Sequence, residues 1–450
     1  MRPLDREILR LALPSILAGI TVPLVGMVDI AVAGHLDGTT AAFIGGISVG
    51  SMLFDLLYWN FGFLRAGTGG LAAQAFGRAD PSDCARILVR GLGLALGSAL
   101  ILLLLQVPFT RLAFLIIDST PEVRSLALRY FCLRIWAAPA TLSLMALRGW
   151  FVGMQDTVSS MKTDLIVNTV NIAASILLTL GIGPWRGLGF PGIALGTVVA
   201  QYTGLVFALA VVLRRFRTVF DGFTRADLSR AFRRDEIRSF SAMNGDLFLR
   251  SLGLTGIYIG FTSLSAGLGD LMLASGSILM KLLMVFSFFT DGFAYAGQAL
   301  TGRFIGEQNR AMLRKTVRRV FGWSMGIGVS FIFIYWAGGL PMVRLMTSAP
   351  DVVESCRQFL PWLILMPPLG CAAFTWDGIY EGATASRPIR DAMLAAMAAF
   401  FLCWLAGQPW LAAHASAAAG LHLLLGAYFA HLLIRTVWLT VAYRRQPWRS

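Results

Sequence analysis

Apolar runs long enough to cross a lipid bilayer recur from one end of this 450-residue chain to the other. A hydrocarbon core of about 30 Å takes roughly 20 residues of helix to cross. Lipid offers no partner to backbone N–H and C=O groups, so only helices and closed barrels can span it. Continuous apolar runs, unlike the alternating pattern of barrel strands, select helices. Coarse spans fall at 8–33, 41–66, 86–107, 122–146, 158–182 and 190–213, and again at 238–264, 270–298, 316–338, 351–375, 389–408 and 418–442. The predicted fold class is therefore an all-α polytopic membrane protein, with twelve transmembrane helices in two pseudo-symmetric six-helix lobes. Composition agrees: 14% of residues are charged, where a soluble domain carries about 25%.

The two sets of spans are separated by one long polar stretch. The expected organisation is an N-terminal lobe over 1–213, a basic linker over 214–237 and a C-terminal lobe over 238–450. The linker holds Arg214, Arg215, Arg217, Arg225, Arg230, Arg233 and Arg234, with Arg238 just beyond, which marks it as cytoplasmic. Counting alternate loops puts Arg78, Arg86, Arg303, Arg310, Arg314, Lys315, Arg318, Arg319, Arg387 and Arg390 on the same side, with Arg444, Arg445 and Arg449. The opposite loops hold only Arg111, Arg186 and Arg344. Both termini are expected inside, in a cell inner membrane. The net charge of +14 thus reflects loop arginines and not a nucleic-acid surface, since no basic domain interleaved with stacking aromatics is present. Cys84, Cys132, Cys356, Cys371 and Cys403 show no CxxC spacing, so neither a metal centre nor a disulfide framework is expected. The first apolar stretch follows Glu7 without an A-x-A-like cleavage site and reads as a retained helix.

An internal repeat supports the division. Gly62, Phe63 and Gly67 match Gly292, Phe293 and Gly297 at a spacing of 230. After a one-residue deletion the spacing is 229, and Gly77, Pro121, Pro139, Gly149 and Gly153 match Gly306, Pro350, Pro368, Gly378 and Gly382. Glycines and prolines mark backbone geometry, so their coincidence means more than that of apolar residues. An even number of spans in each half gives both halves the same orientation, a plan found in secondary transporters. Channels and intramembrane enzymes can be duplicated too.

A charge at the bilayer centre costs about 2.5–3.5 kcal/mol even on lenient scales. Asp29, late in the first span, is the clearest case. Partly desolvated, such a carboxyl can carry a proton at physiological pH; a structural acid bonded to a neighbouring helix is the alternative. Asn168, Asn171 and Ser175 stand at i, i+3 and i+7 on one face of the fifth span, where they can surround a carboxylate or serve interhelical bonding alone. Pro14 and Pro23 are hinge candidates in the first span. In the second half Asp246, Arg250, Lys281, Asp291 and Asp377 lie near membrane depth. Asp377 matches Arg148 of the first half, so the repeat does not carry a shared ion site. Asp377 can contact a cationic substrate or close an ion pair, and Lys281 is expected to pair with Asp246 or Asp377. Phe61, Phe63, Phe293 and Trp376, together with Asp377 and Lys281, are the candidates for lining a substrate cavity.

Several stretches resemble the DinF-like branch of the multidrug and toxic compound extrusion (MATE) family. They are Val28-Asp29-Ile30-Ala31-Val32-Ala33-Gly34-His35-Leu36, the glycine-rich Gly62–Gly77, Leu147–Gly153, Asn168 with Asn171, Asp291-Gly292-Phe293-Ala294-Tyr295-Ala296, and Asp377-Gly378-Ile379. The resemblance covers essentially the whole chain. It implies two six-helix lobes around a V-shaped cavity, and antiport of a drug-like or amphipathic small molecule against protons or sodium. By resemblance the coupling ion binds Asp29, aided by Asn171, and Pro14 is the proline associated with bending. Two departures matter: Ser175 and Gln298 stand where some relatives carry acids. With fewer acids, coupling to protons is favoured over sodium, which prefers several oxygen ligands.

The expectation is thus a proton-coupled exporter working as a single chain in the lipid bilayer, not an enzyme, with no cofactor other than the coupling ion. A lipid-linked precursor flippase would need a strongly cationic cavity, whereas the arginines here lie mainly in loops. An intramembrane enzyme would need clustered catalytic groups, and His35, His414, His422 and His431 form no H-E-x-x-H motif.

Overall fold

The computed structural model describes residues 3–34, 40–117, 120–414, 416–446 and 448. His35, Leu36 and Arg449 lie outside them. Among the described residues twelve helical segments are long and apolar enough to cross a membrane, which matches the predicted fold class. By contacts the chain divides into Leu17–Ser241 and a second unit formed by Met1–Ile16 with Ala242–Ser450. One boundary lies a few residues beyond the basic linker. The other falls inside the first helix, between Pro14 and Pro23.

That helix, α1 (Pro3–Gly34), is continuous. Its early turns are fixed within the second unit, where Glu7 accepts from Arg303 at 2.7 Å and Asp5 from the Trp323 indole at 3.3 Å. Its later turns belong to the first unit. There it is followed by α2 (Thr40–Trp59), α3 (Phe63–Gly77), α4 (Pro81–Ile116), α5 (Pro121–Arg134), α6 (Ala138–Gly153), α7 (Thr157–Leu180) and α8 (Phe190–Arg215). The second and fourth spans are broken, contrary to the plain runs expected. A turn at Asn60–Gly62 separates α2 from α3, and a 3-10 turn at Ile135–Ala137 precedes α6, whose first turn carries Pro139. Proline has no N–H to donate and fits a first helical turn, so the chain re-starts there.

The basic linker is more ordered than a polar loop. It forms α9 (Arg217–Phe220) and α10 (Arg225–Ala231), the latter opened by a Thr224/Asp227 capping box, before α11 (Arg234–Gly267) begins. Arg90 of α4 donates to the Ala231 carbonyl at 3.0 Å and pairs with Glu236 at 2.9 Å, which docks the linker onto α4. The second unit continues with α12 (Asp270–Gly306), α13 (Arg310–Met346), α14 (Pro350–Gly382), α15 (Ser386–Ala406), α16 (Gln408–His414) and α17 (Ala417–Tyr443). Pro361, Pro367 and Pro368 all lie within α14, which is unbroken.

The repeat is written into the backbone. Ala79 and Gln155 hold positive φ of 53° and 61°, and Gln308 and Thr384, 229 residues on, hold 56° and 54°. Non-glycine residues seldom adopt this region, so coincident strain marks a repeated corner. Asp80 caps α4 by accepting from the Asp83 N–H, and Asn309 caps α13 in the same way from Met312. Replacing Asp80 by alanine is expected to cost about 0.5–2 kcal/mol, read as a lowered unfolding midpoint in detergent. Ser82→Ala, at an exposed residue two positions on, is the control that should leave the midpoint unchanged.

Helix crossings repeat as well. Gly149 and Gly153 of α6 press against the backbone of Arg65 and Gly69 on α3, and Gly378 and Gly382 of α14 press against that of Ala294 and Gln298 on α12. Each pair is again 229 residues from its counterpart.

Candidate functional site

The later turns of α1 present Leu24, Met27 and Ile30 outward, while Asp29 is only 6% exposed. Thr21, eight residues earlier and thus on the same face, points with it toward α7. The face it meets is the predicted stripe. Asn168 donates to the Thr21 hydroxyl at 2.7 Å, and Asn171 donates to the Thr197 hydroxyl of α8 at 3.0 Å. The Ser175 hydroxyl is within reach of the Asp29 carboxylate. Ser175 can sit so deep because Gly196 of α8 faces it: a Cβ there would come within 2.6 Å of the serine nitrogen and hydroxyl. Asp29, Asn168, Asn171 and Ser175 are therefore brought together by the structure.

Two acceptors in this cluster, Asp29 Oδ1 and Asn171 Oδ1, are buried without a hydrogen-bond partner among the described residues. Buried acceptors are normally satisfied, so the cluster is poised to take up a proton, a water molecule or a cation.

Reasoning from the sequence missed a third side of the site. Arg134, the last residue of α5, donates to the Tyr130 phenol at 2.9 Å and lies over the Phe54 ring at 4.7 Å. Its charge acts on Asp29, on Asp55 of α2 and on Tyr58. The cost rule that singled out Asp29 applies equally to an arginine and an aspartate in the middle of spans 122–146 and 41–66.

The second unit has a different buried constellation. Asp377 of α14, 5% exposed, accepts at 2.5 Å from Arg250 of α11 and at 2.5 Å from Arg435 of α17. Glu381 stands 3.9 Å from Arg250, and Asp291 adds a third carboxylate within Coulombic range of it. Asp246 is bound by Arg390 at 2.5 Å and by the Ser386 hydroxyl at 2.7 Å. The expected pairing of Lys281 with Asp246 or Asp377 is thus corrected: arginines occupy both acids. Lys281 lies on an exposed face of α12 with Ser277 and Val285, where its long stem can carry the ammonium to water. Arg250 was noted at membrane depth, but Arg435 and its neighbour His431 were not.

Of the aromatic candidates, Phe61 is half-buried and its ring lies 5.7 Å from that of Phe63. Phe63, Phe293 and Trp376 are buried in packing. Trp376 meets the Phe321 ring at 4.7 Å and donates to Thr440 at 2.9 Å. Pro14 and Pro23 lie in unbroken helix on either side of the division of α1 between the two units.

Compared with known proteins, the chain matches the family model described as MatE twice, over residues 14–177 and 247–410. It is 34% identical over 446 residues to the DNA damage-inducible protein F of Escherichia coli (strain K12), covering 99% of this chain and 93% of that protein. It is 26% identical over 420 residues to the probable multidrug resistance protein NorM of Pseudomonas putida, covering 90% and 87% of the two chains. The crystal structure of a MATE protein in the straight conformation superposes with a TM-score of 0.84 at 15% identity, covering 98% of this chain and 96% of that one. A second solved structure, an outward-facing MATE transporter, gives 0.83 at 15% identity, with coverages of 98% and 96%. At such identities the likeness is one of fold.

Proposed function

Since this chain belongs to the MatE family of membrane transporters, we propose that it is a proton-coupled antiporter that exports drug-like cationic or amphipathic compounds. The chain is a multi-pass membrane protein and not an enzyme. The observation that carries the coupling is the near-complete burial of Asp29 beside Ser175, Asn168 and Asn171. Burial penalises a charged carboxylate, while a nearby arginine or a hydrogen-bond donor favours it. Opposed effects of this kind let a proton be both taken up and released. A bound ion drives exchange only if it binds the two transport states with different affinity. In this reading the output is the shape of α1, whose two prolines lack backbone donors and lie either side of its division between units.

Sodium is the second reading, favoured by the two unpartnered oxygens of Asp29 and Asn171. Against it stands Arg134, a fixed cation already acting on the same carboxylate. Purified protein in liposomes, given either a pH or a sodium gradient, separates the two. The expected result is efflux driven by the pH gradient alone. Asp29→Asn should insert and fold, yet lose this efflux to background. Undiminished pH-driven efflux by that variant excludes Asp29 as the carrier.

A further inference from the structure

One face of α2 remains open. Ser48, Met52, Asp55 and Trp59 are all exposed and follow one another at steps of four, three and four residues, so they form one stripe. Asp55 lies 13 residues into the span that starts at Ala42, or about 20 Å along the helix axis. A carboxylate at that depth is too costly against lipid, so this face lines water. It carries an anion with an indole one turn further on and a thioether one turn before. A planar organic cation is what such a set attracts, by charge and by cation–π contact.

Behind this face sits Arg134. Its stacking on Phe54 and its bond to Tyr130 fix the base of the guanidinium, while its Nε has no hydrogen-bond partner among the described residues. Asp55 and Asp29 both feel its charge. One guanidinium therefore serves two carboxylates, one buried and one open to water.

We propose that Asp55 is a binding site for the exported organic cation, and that Arg134 is the positioning residue that makes its occupancy depend on the proton at Asp29. This rests on the antiport reading above. With Asp29 ionised, its charge offsets that of the guanidinium and Asp55 attracts the cation. With Asp29 protonated, the guanidinium charge falls on Asp55 and competes with the cation there. Protons and substrate thus exclude one another without sharing a ligand. The other titratable side chains facing the cluster are Tyr58 and Tyr130, which meet the Phe54 ring and Arg134, and a phenol ordinarily titrates at about pH 10.

The test is binding of ethidium to the full chain in liposomes, followed by fluorescence from about pH 5 to about pH 8, where a desolvated carboxylate titrates. Wild-type affinity is expected to rise with pH by a factor within the usual coupling range of about 5 to 150. Asp55→Asn should lower affinity at every pH, and Arg134→Met should bind tightly with the pH slope gone. Arg134→Lys, which keeps the charge, should keep the slope. Wild-type affinity in Asp55→Asn, or a wild-type slope in Arg134→Met, overturns the proposal. If Arg134→Met does not fold, Asp29→Asn decides, because a permanently neutral group there must give weak binding at all pH, and tight binding sinks the relay. The two levels fail differently. Asp29→Asn that still couples efflux to pH removes the antiport reading, whereas loss of that efflux with a wild-type slope in Arg134→Met removes only the relay.

Discussion

Leucine at Gly378 is expected to leave the chain unable to form its α12–α14 crossing, with the protein lost from the monodisperse fraction after extraction in detergent. A single added Cβ would fall on the backbone of Ala294, and no side-chain rotation can relieve a clash with a carbonyl. Overpacking usually costs about 1–3 kcal/mol, and more where neither partner can yield. Here α12 is fixed from its other side, since Gly292 lies against Ala12 and Ile16 of α1. Gly149→Leu should fail in the same way against Arg65. Gly322→Ala in α13 is the control, because a Cβ there meets nothing within 4 Å. That variant should be neutral or gain up to about 1 kcal/mol, the helical preference of alanine over glycine.

Alanine at Asp377 is expected to destabilise the second unit by about 3–5 kcal/mol, the cost of breaking a buried ion pair from one side. Two guanidiniums converge on this carboxylate, and Arg435 is only 1% exposed. Glu381 gives partial relief to Arg250 but stands beside no such bond to Arg435. Removing charge and counter-charge together, as in Asp377→Ala with Arg435→Met, should recover part of the loss, since an apolar replacement of a whole pair is often tolerated. Asp246→Ala should cost less, because Arg390 keeps Asp391 at 2.7 Å. Unfolding midpoints for the three variants measure the order; equal losses for Asp377→Ala and the double variant would show that the guanidinium was never held by charge.

The legible part of this fold was the part set by hydrocarbon thickness and backbone punctuation. Span length, loop arginines and matched glycines located twelve crossings and a repeat, because lipid imposes those patterns on any sequence that spans it. The Asp29, Asn168, Asn171 and Ser175 cluster was also legible, since its members share helix faces of fixed period. Partner choice was not. The rule that a buried charge is costly names Asp377 but not Arg250 and Arg435 as its partners, for they come from α11 and α17, more than a hundred and nearly sixty residues away. Lys281 shows the same limit from the other side, as it lies on an exposed helix face and arginines hold the acids expected to pair with it. Arg134 and Asp55 were overlooked because the apolar runs around them are long enough to absorb one charge each without breaking the hydropathy signal.

The strained corners at Ala79 and Gln308, and at Gln155 and Thr384, share no residue type, yet keep the same dihedral angles at one fixed offset. The corner is thus set by the path of the backbone and not by the side chain that stands on it. At the equivalent positions 148 and 377 the two halves carry arginine and aspartate, the first paired with Asp164 and the second with Arg250 and Arg435. One scaffold therefore carries opposite charge in its two halves, each neutralised by its own neighbours, so exchanging the two residues would leave like charges face to face in both.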